Sequence, residues 1–219
     1  MRRLSINAME QTSAEPASAA ENAEGAEPEV APGREIVNPI SGERIIIRQS
    51  GAQTGGRLLV FDLYLPPGGH VPAGHAHPIQ EERFIVVAGQ MRFRLGRRAF
   101  VARPGETVII PVGVAHWFGA AGGEAAQARG EVRPALRMQE LFETTEAVSQ
   151  VAAGAGVSRV GAWLARLTGL AQVALDYQRE VAVPHIPASV VRVMLAPLAW
   201  LGRRSRNAAR LIARGSERE

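Results

Sequence analysis

At 219 residues, the chain is long enough for one domain with appendages or for two small domains. It contains no cysteine, which excludes disulfides and thiolate metal sites, so a bound metal would need nitrogen and oxygen ligands. The net charge of +4 comes from scattered arginines, without the basic patch and interleaved aromatics typical of nucleic-acid binding. We recognise no secretory signal and no apolar run of about 20 residues, so we expect a bacterial-type cytoplasmic protein without a nucleic-acid partner.

Composition divides the chain into three segments. Residues 1–34 are rich in Ala, Glu, Ser and Pro with little to bury, which predicts a disordered acidic leader. Residues 35–134 contain short β-rich runs separated by Gly and Pro, which predicts a sandwich or barrel. In chain order these runs are EIVN, ERIIIRQ, RLLVFDLYL, RFIVVAG, MRFRLG, AFVAR, ETVIIP, AHWFGA and GEVRP.

Residues 135–219 change to an apolar period of about 3.6, which predicts three helices. Their apolar positions are Leu136, Leu141 and Val148, then Trp163, Leu167, Leu170 and Ala174, then Val190, Val191, Met194, Leu195 and Leu198. These helices would close the barrel as a lid or bury the interface of a homodimer. In residues 188–213 an apolar face is followed by arginines, which is also typical of a helix on an anionic membrane.

Two histidines and a glutamate form the first half of a candidate metal site. His75 and His77 alternate about Ala76, so their side chains point to the same face of an extended backbone. Glu82 opens the next apolar run and shares its face with Phe84 and Val86. An unpaired carboxylate there would be costly, and a divalent cation would remove that cost.

The stretch GETVIIPVGVAHWFGA supplies a fourth candidate ligand, because a strand ends at Pro111, turns through Gly113 and presents His116. The neighbouring Glu81 is the alternative carboxylate ligand. Adjacent residues of a strand point to opposite faces, so Glu81 would point away from the face that carries Phe84. Glu82 is therefore the preferred carboxylate.

These two stretches resemble the paired signature motifs of the cupin superfamily. The first motif matches at Gly69, His75, His77, Glu82 and Gly89, and the second at Gly105, Pro111, Gly113 and His116. The last position of the second motif, usually Asn, is Ala120 here. The resemblance covers about residues 36–134 and implies a jelly-roll barrel in which one divalent metal is held by His75, His77, Glu82 and His116.

The resemblance also shapes the expected chemistry. Three imidazoles and one carboxylate suit Fe, Mn, Ni, Cu or Zn by ligand type. With a redox-active metal we expect an oxygenase for a small organic molecule, and with a redox-inert metal an isomerase or hydrolase. Glu82 is also the candidate catalytic residue, as a proton acceptor if it left the metal. A module that only binds a small ligand is the remaining alternative.

The substrate pocket is expected inside the barrel, along the strands that follow the first motif. Alternate positions of these strands point inward. The predicted lining residues are Phe84, Val86, Met91 and Phe93.

Overall fold

The computed structural model describes residues 33–71, 74–153 and 158–216, with side chains described as far as residue 204. The acidic leader predicted for residues 1–34 lies almost wholly outside the described part. Nine strands and three helices form within it. The strands are β1 (Glu35–Val37), β2 (Arg44–Gln49), β3 (Leu59–Leu65), β4 (Glu81–Ala88), β5 (Gln90–Leu95), β6 (Arg98–Ala102), β7 (Thr107–Ile110), β8 (His116–Ala121) and β9 (Ala126–Arg133).

The strands form two antiparallel sheets. One sheet has six strands in the order β1-β2-β3-β9-β4-β7, and the other has three in the order β6-β5-β8. Side chains that alternate along each strand meet between the sheets. Phe84, Met91 and Phe93 are fully buried there and anchor a continuous apolar core. The predicted fold class, a jelly-roll barrel with a helical C-terminal extension, is confirmed.

Strand β9 begins earlier than the sequence pattern predicts. The predicted run GEVRP starts at residue 130, whereas the strand starts at Ala126 and pairs with β3 and β4 on its two sides. The inward positions of its first half are Ala126, Ala128 and Gly130, all buried. Small residues give a weak hydrophobic alternation, and Gly130 is required because a Cβ there would lie 2.3 Å from the ring of Phe61.

The three helices are α1 (Met138–Ala153), α2 (Arg159–Asp176) and α3 (Ala188–Ser216). Leu136, predicted in the first helix, precedes it in a left-handed conformation with φ of 44°. Ser158 begins α2 by accepting a hydrogen bond from the backbone N–H of Gly161.

Helix α1 packs against the barrel, and the next two helices follow in chain order. Phe142 of α1 stacks edge-on against Phe61 of the barrel, with ring centroids 5.2 Å apart. Val148 of α1 meets Gly169 of α2, where a Cβ would clash. Helix α3 packs against α2 in turn, and no helix in the described part of the chain is long and apolar enough to cross a membrane.

Candidate metal centre

Two chain segments position the three predicted histidine ligands. The segment with His75 and His77 lies beside the start of β8, where the backbones of His75 and His116 exchange hydrogen bonds of 3.0 and 2.8 Å. Gly113 makes the turn before His116 with φ of 75° and donates its N–H to the carbonyl of His77. The paired backbones therefore bring three imidazoles to one place.

The four side chains converge as a metal site requires. His75, His77, Glu82 and His116 each offer one ligand atom, and these atoms all lie within 4.8 Å of one another. Glu82 Oε2 lies 3.4 Å from His77 Nε2 and 3.3 Å from His116 Nε2. Glu82, His77 and His116 are all buried.

The hydrogen bonding of the cluster fits a metal ion. His77 Nε2, His116 Nε2 and Glu82 Oε2 are buried without a hydrogen-bond partner. The other ring nitrogens are occupied, since His77 Nδ1 donates to the carbonyl of Glu180 and His116 Nδ1 to that of Val114. This tautomer leaves the Nε2 lone pairs directed at the cluster, and a divalent cation would satisfy all three orphaned atoms.

Electrostatics within the cluster favour ionised Glu82. Burial opposes its ionisation, but the imidazoles of His77 and His116 outweigh burial and lower the pKa of Glu82. For His77, burial favours the neutral form, and the charge of Glu82 raises the pKa above its ordinary value. An ionised carboxylate among imidazoles is a suitable ligand set for a divalent cation.

A cavity of about 180 Å³ opens beside the cluster. His75, His77 and Glu82 form one end of it. The remaining lining is mainly apolar and comes from the barrel and from the helical extension. The principal apolar residues are Phe61, Leu63, Phe118, Leu141, Phe142 and Val173.

The residues predicted to line the substrate pocket, Phe84, Val86, Met91 and Phe93, are not among those that line this cavity, and a substrate site at these four residues stays a prediction. All four are almost completely buried in the barrel core, and Phe93 also borders a second groove, which His116 lines as well. Ring contacts of 5.8 Å or less join Phe84, Phe93 and Phe118. Strand alternation identifies inward side chains but not how far along the barrel the open space begins.

Glu43 is a cavity residue that the sequence analysis missed. Its carboxyl lines the same cavity as His77 and Glu82, and burial followed by repulsion from Glu82 raises its pKa to about 7. The sequence carries a signal for Glu43, because alternate residues of a strand share a face. Glu43 precedes β2 and alternates with Ile45 and Ile47, which are buried.

The helical extension completes the site. Between α2 and α3, Ala182 exchanges two backbone hydrogen bonds with Ala76, which lies between the two motif histidines. The carbonyl of Glu180 holds His77 Nδ1, and Met138 and Val181 line the cavity. The sequence left open whether the extension forms a lid, a homodimer interface or a membrane contact. In the structure, α1 and the end of α2 form walls of the cavity.

The remaining polar residues near the motifs lie outside the cluster. Glu81 is exposed, and His70 is exposed and contacts Trp117, with ring centroids 5.4 Å apart and ring planes tilted by 38°. His185 is exposed in the loop before α3. Ala120, at the position where the motif has Asn, is buried opposite Met91, and its methyl group packs in the apolar core.

Comparison with known proteins agrees with this geometry. Residues 61–128 match the sequence profile described as Cupin domain. The chain contains a cupin domain. The matched segment of this cupin domain includes all four clustered residues, from β3 to the start of β9. No curated protein matches the chain.

Solved structures from several organisms are similar to the cupin domain. An RmlC-like cupin from Shewanella frigidimarina is 17% identical, with 48% of this chain and 87% of that chain covered and a TM-score of 0.42. A predicted oxalate decarboxylase from Thermotoga maritima is 19% identical, with 48% and 94% covered and a TM-score of 0.41. A sugar phosphate isomerase from Silicibacter pomeroyi is 19% identical, with 48% and 71% covered and a TM-score of 0.40. At these values the similarity assigns no activity to the chain.

Proposed function

We propose that the chain is a metal-dependent cupin enzyme, an oxygenase for a small and largely apolar organic molecule. One observation carries the proposal: His77 Nε2, His116 Nε2 and Glu82 Oε2 are buried, unpartnered and directed at one point beside an apolar cavity. When bound, a divalent metal supplies Lewis acidity and, if redox-active, the electrons for dioxygen chemistry.

The chain's own residues would hold the metal and shape the substrate site. His75, His77, Glu82 and His116 are the ligands, and the carbonyl of Glu180 keeps His77 in the tautomer that a ligand needs. The apolar walls contributed by α1 and α2 would bind the substrate and exclude water from the cluster.

Glu43 supports a second candidate, an isomerase or hydrolase. In the metal-free chain the pKa of the Glu43 carboxyl is raised to about 7, and a buried carboxyl beside the candidate metal centre is suited to the role of general acid or base. Glu43 lines the cavity at the cluster end, so it faces the space where a substrate would lie. With a redox-inert metal, proton transfer through Glu43 becomes the expected chemistry in place of oxygenation.

The first test is elemental analysis of untagged protein purified without added metal. We expect about one equivalent of metal per chain, lost in His75→Ala and in His116→Ala because each variant removes one ligand. The matched controls are His70→Ala and His185→Ala, which remove exposed histidines outside the cluster and should retain the metal.

The identity of the metal selects the next assay. Iron, manganese, nickel or copper leads to oxygen-consumption screens with phenolic and diketone substrates. Zinc leads to isomerase and hydrolase assays, in which Glu43→Gln should reduce turnover. A wild-type protein that takes up no metal even after reconstitution would overturn the proposal and leave a module that binds a small ligand without metal.

A further inference from the structure

The outer face of α3 carries a stripe of exposed apolar side chains. Val193 is 77% exposed, Met194 65% and Trp200 55%, and Val190 and Leu201 are also exposed. Their positions follow the i, i+3, i+4, i+7 spacing that places side chains on one face of a helix. Exposed residues of this size on one face mark an interaction surface, whereas single exposed apolar residues need no explanation.

The opposite face of α3 is already satisfied within the chain. Val191 and Ala199 are buried, and a Cβ on Gly202 would lie 2.8 Å from Thr168 of α2. Arg203 donates a hydrogen bond to Gln172 of α2. The helix is therefore held by its inner face, and the apolar stripe is left for a partner outside the chain.

The charge of α3 indicates what that partner is. The helix contains no acidic residue, and its basic residues are Arg192, Arg203, Arg204, Arg206, Arg210 and Arg214. The guanidinium of Arg204 lies over the ring of Trp200, 5.4 Å from its centroid, at the edge of the stripe. Apolar side chains with tryptophan beside arginine are typical of helices that lie in the interface of an anionic bilayer.

We propose that α3 binds the surface of an anionic membrane, lying in the plane of the bilayer with the stripe from Val190 to Leu201 facing the acyl chains. Arginines would contact lipid phosphates, and no helix in the described residues would span the bilayer. This proposal is independent of the reaction at the metal centre, because the cluster and the stripe share no residue.

A second copy of the chain is a poorer occupant of the stripe. In a two-fold interface the C-terminal arginines of one α3 would meet either those of the other, in a parallel pair, or its N-terminal half, in an antiparallel pair. The helix offers no carboxylate to pair with them. Lipid phosphates supply the missing negative charge.

Vesicle sedimentation of the full chain tests the proposal. We expect binding to vesicles of phosphatidylcholine mixed with phosphatidylglycerol, and weak binding to phosphatidylcholine alone. The double substitution Met194→Ser with Trp200→Ser should weaken binding about tenfold or more because it removes apolar anchors. Arg204→Gln should weaken binding about fivefold and reduce its salt dependence.

The matched control is Val87→Ser with Ile109→Ser, which removes two exposed apolar side chains from the barrel instead of from α3. It should bind vesicles as the wild type does. Unchanged circular dichroism and metal content in all variants would show that folding and the metal centre are intact. The vesicle test therefore stays valid even if the proposed metal chemistry is wrong.

Two results would overturn the proposal. One is equal binding of the wild type and the stripe variant to anionic vesicles. The other is a wild-type dimer, measured by light scattering, that the stripe variant converts to a monomer while neither binds vesicles, which would assign the stripe to a second copy of the chain.

Discussion

The two ends of the barrel interior differ sharply although one strand runs through both. On β4, Glu82 belongs to the candidate metal centre, whereas Phe84 and Val86 belong to the closed apolar core. All three are inward-facing and buried. At the Phe84 end aromatic rings fill the space, and at the Glu82 end α1 and α2 enclose a cavity.

This difference shows that inward orientation and functional position are separate properties. Strand alternation determines which side chains point into a barrel. Which of them border open space depends on the size of the residues opposite and on what covers each end. The following three predictions test the division between the two ends, from the largest expected effect to the smallest.

The filled end should determine stability without controlling the metal. Phe84→Ala leaves a cavity between the sheets and should lower the free energy of unfolding by about 3–5 kcal/mol, measured by urea denaturation. The milder Phe84→Leu should remain folded, so that its metal content is measured directly and should equal that of the wild type. Loss of metal in Phe84→Leu at unchanged circular dichroism would contradict the separation of the two ends.

The open end should make stability depend on pH through Glu43. Burial, and then Glu82, raises the pKa of Glu43 from 4.5 to about 7, so its stabilising contribution is complete below pH 4.5 and is lost as the pH rises through 7. In metal-free protein, the free energy of unfolding should fall by about 2–3 kcal/mol between pH 5 and pH 8, and Glu43→Gln should remove this fall. Urea denaturation at both pH values measures this change.

Glu124→Gln is the control for this pH dependence, because Glu124 is exposed in the turn before β9. It should show the same pH dependence as the wild type. Stability curves for Glu43→Gln that run parallel to those of the wild type would refute the assignment of the raised pKa to Glu43.

The contact between the extension and the metal loop should tune metal affinity. Ala182→Pro removes the N–H that donates to the carbonyl of Ala76, 2.8 Å away, and should weaken metal binding about tenfold by releasing the segment between His75 and His77. Ala182→Gly keeps this N–H and should bind metal as the wild type does. Competition titration with a chelator compares the two, and equal affinities would show that the extension has no part in holding the ligands.

Much of the fold and of the candidate site was predictable from local patterns. Each of the nine β-rich runs lies on a strand, and the three helical periods lie on helices except for Leu136, which precedes α1. His75, His77, Glu82 and His116 were identified from spacing and resemblance, and the structure brings them together. Binding of a metal at this cluster stays a prediction.

Other features were not predictable, for identifiable physical reasons. The first half of β9 was missed because Ala126, Ala128 and Gly130 fit a crowded interior with almost no hydrophobic signal. Trp163 and Met194 lie at apolar positions of the helical pattern but are exposed. Periodicity identifies the apolar face of a helix and does not show whether another element covers that face.

The sequence by itself determined which stretches form strands, where the apolar period changes from 2 to 3.6, and which four side chains form the cluster. All three depend on the spacing of residue types along the chain. Only the tertiary structure decided the cavity. Its walls join Phe61 of the barrel to Phe142 of α1, its carboxyl Glu43 lies far from Glu82 in sequence, and His77 is held by the carbonyl of Glu180. Contacts between such distant positions arise from packing, and no local pattern encodes them.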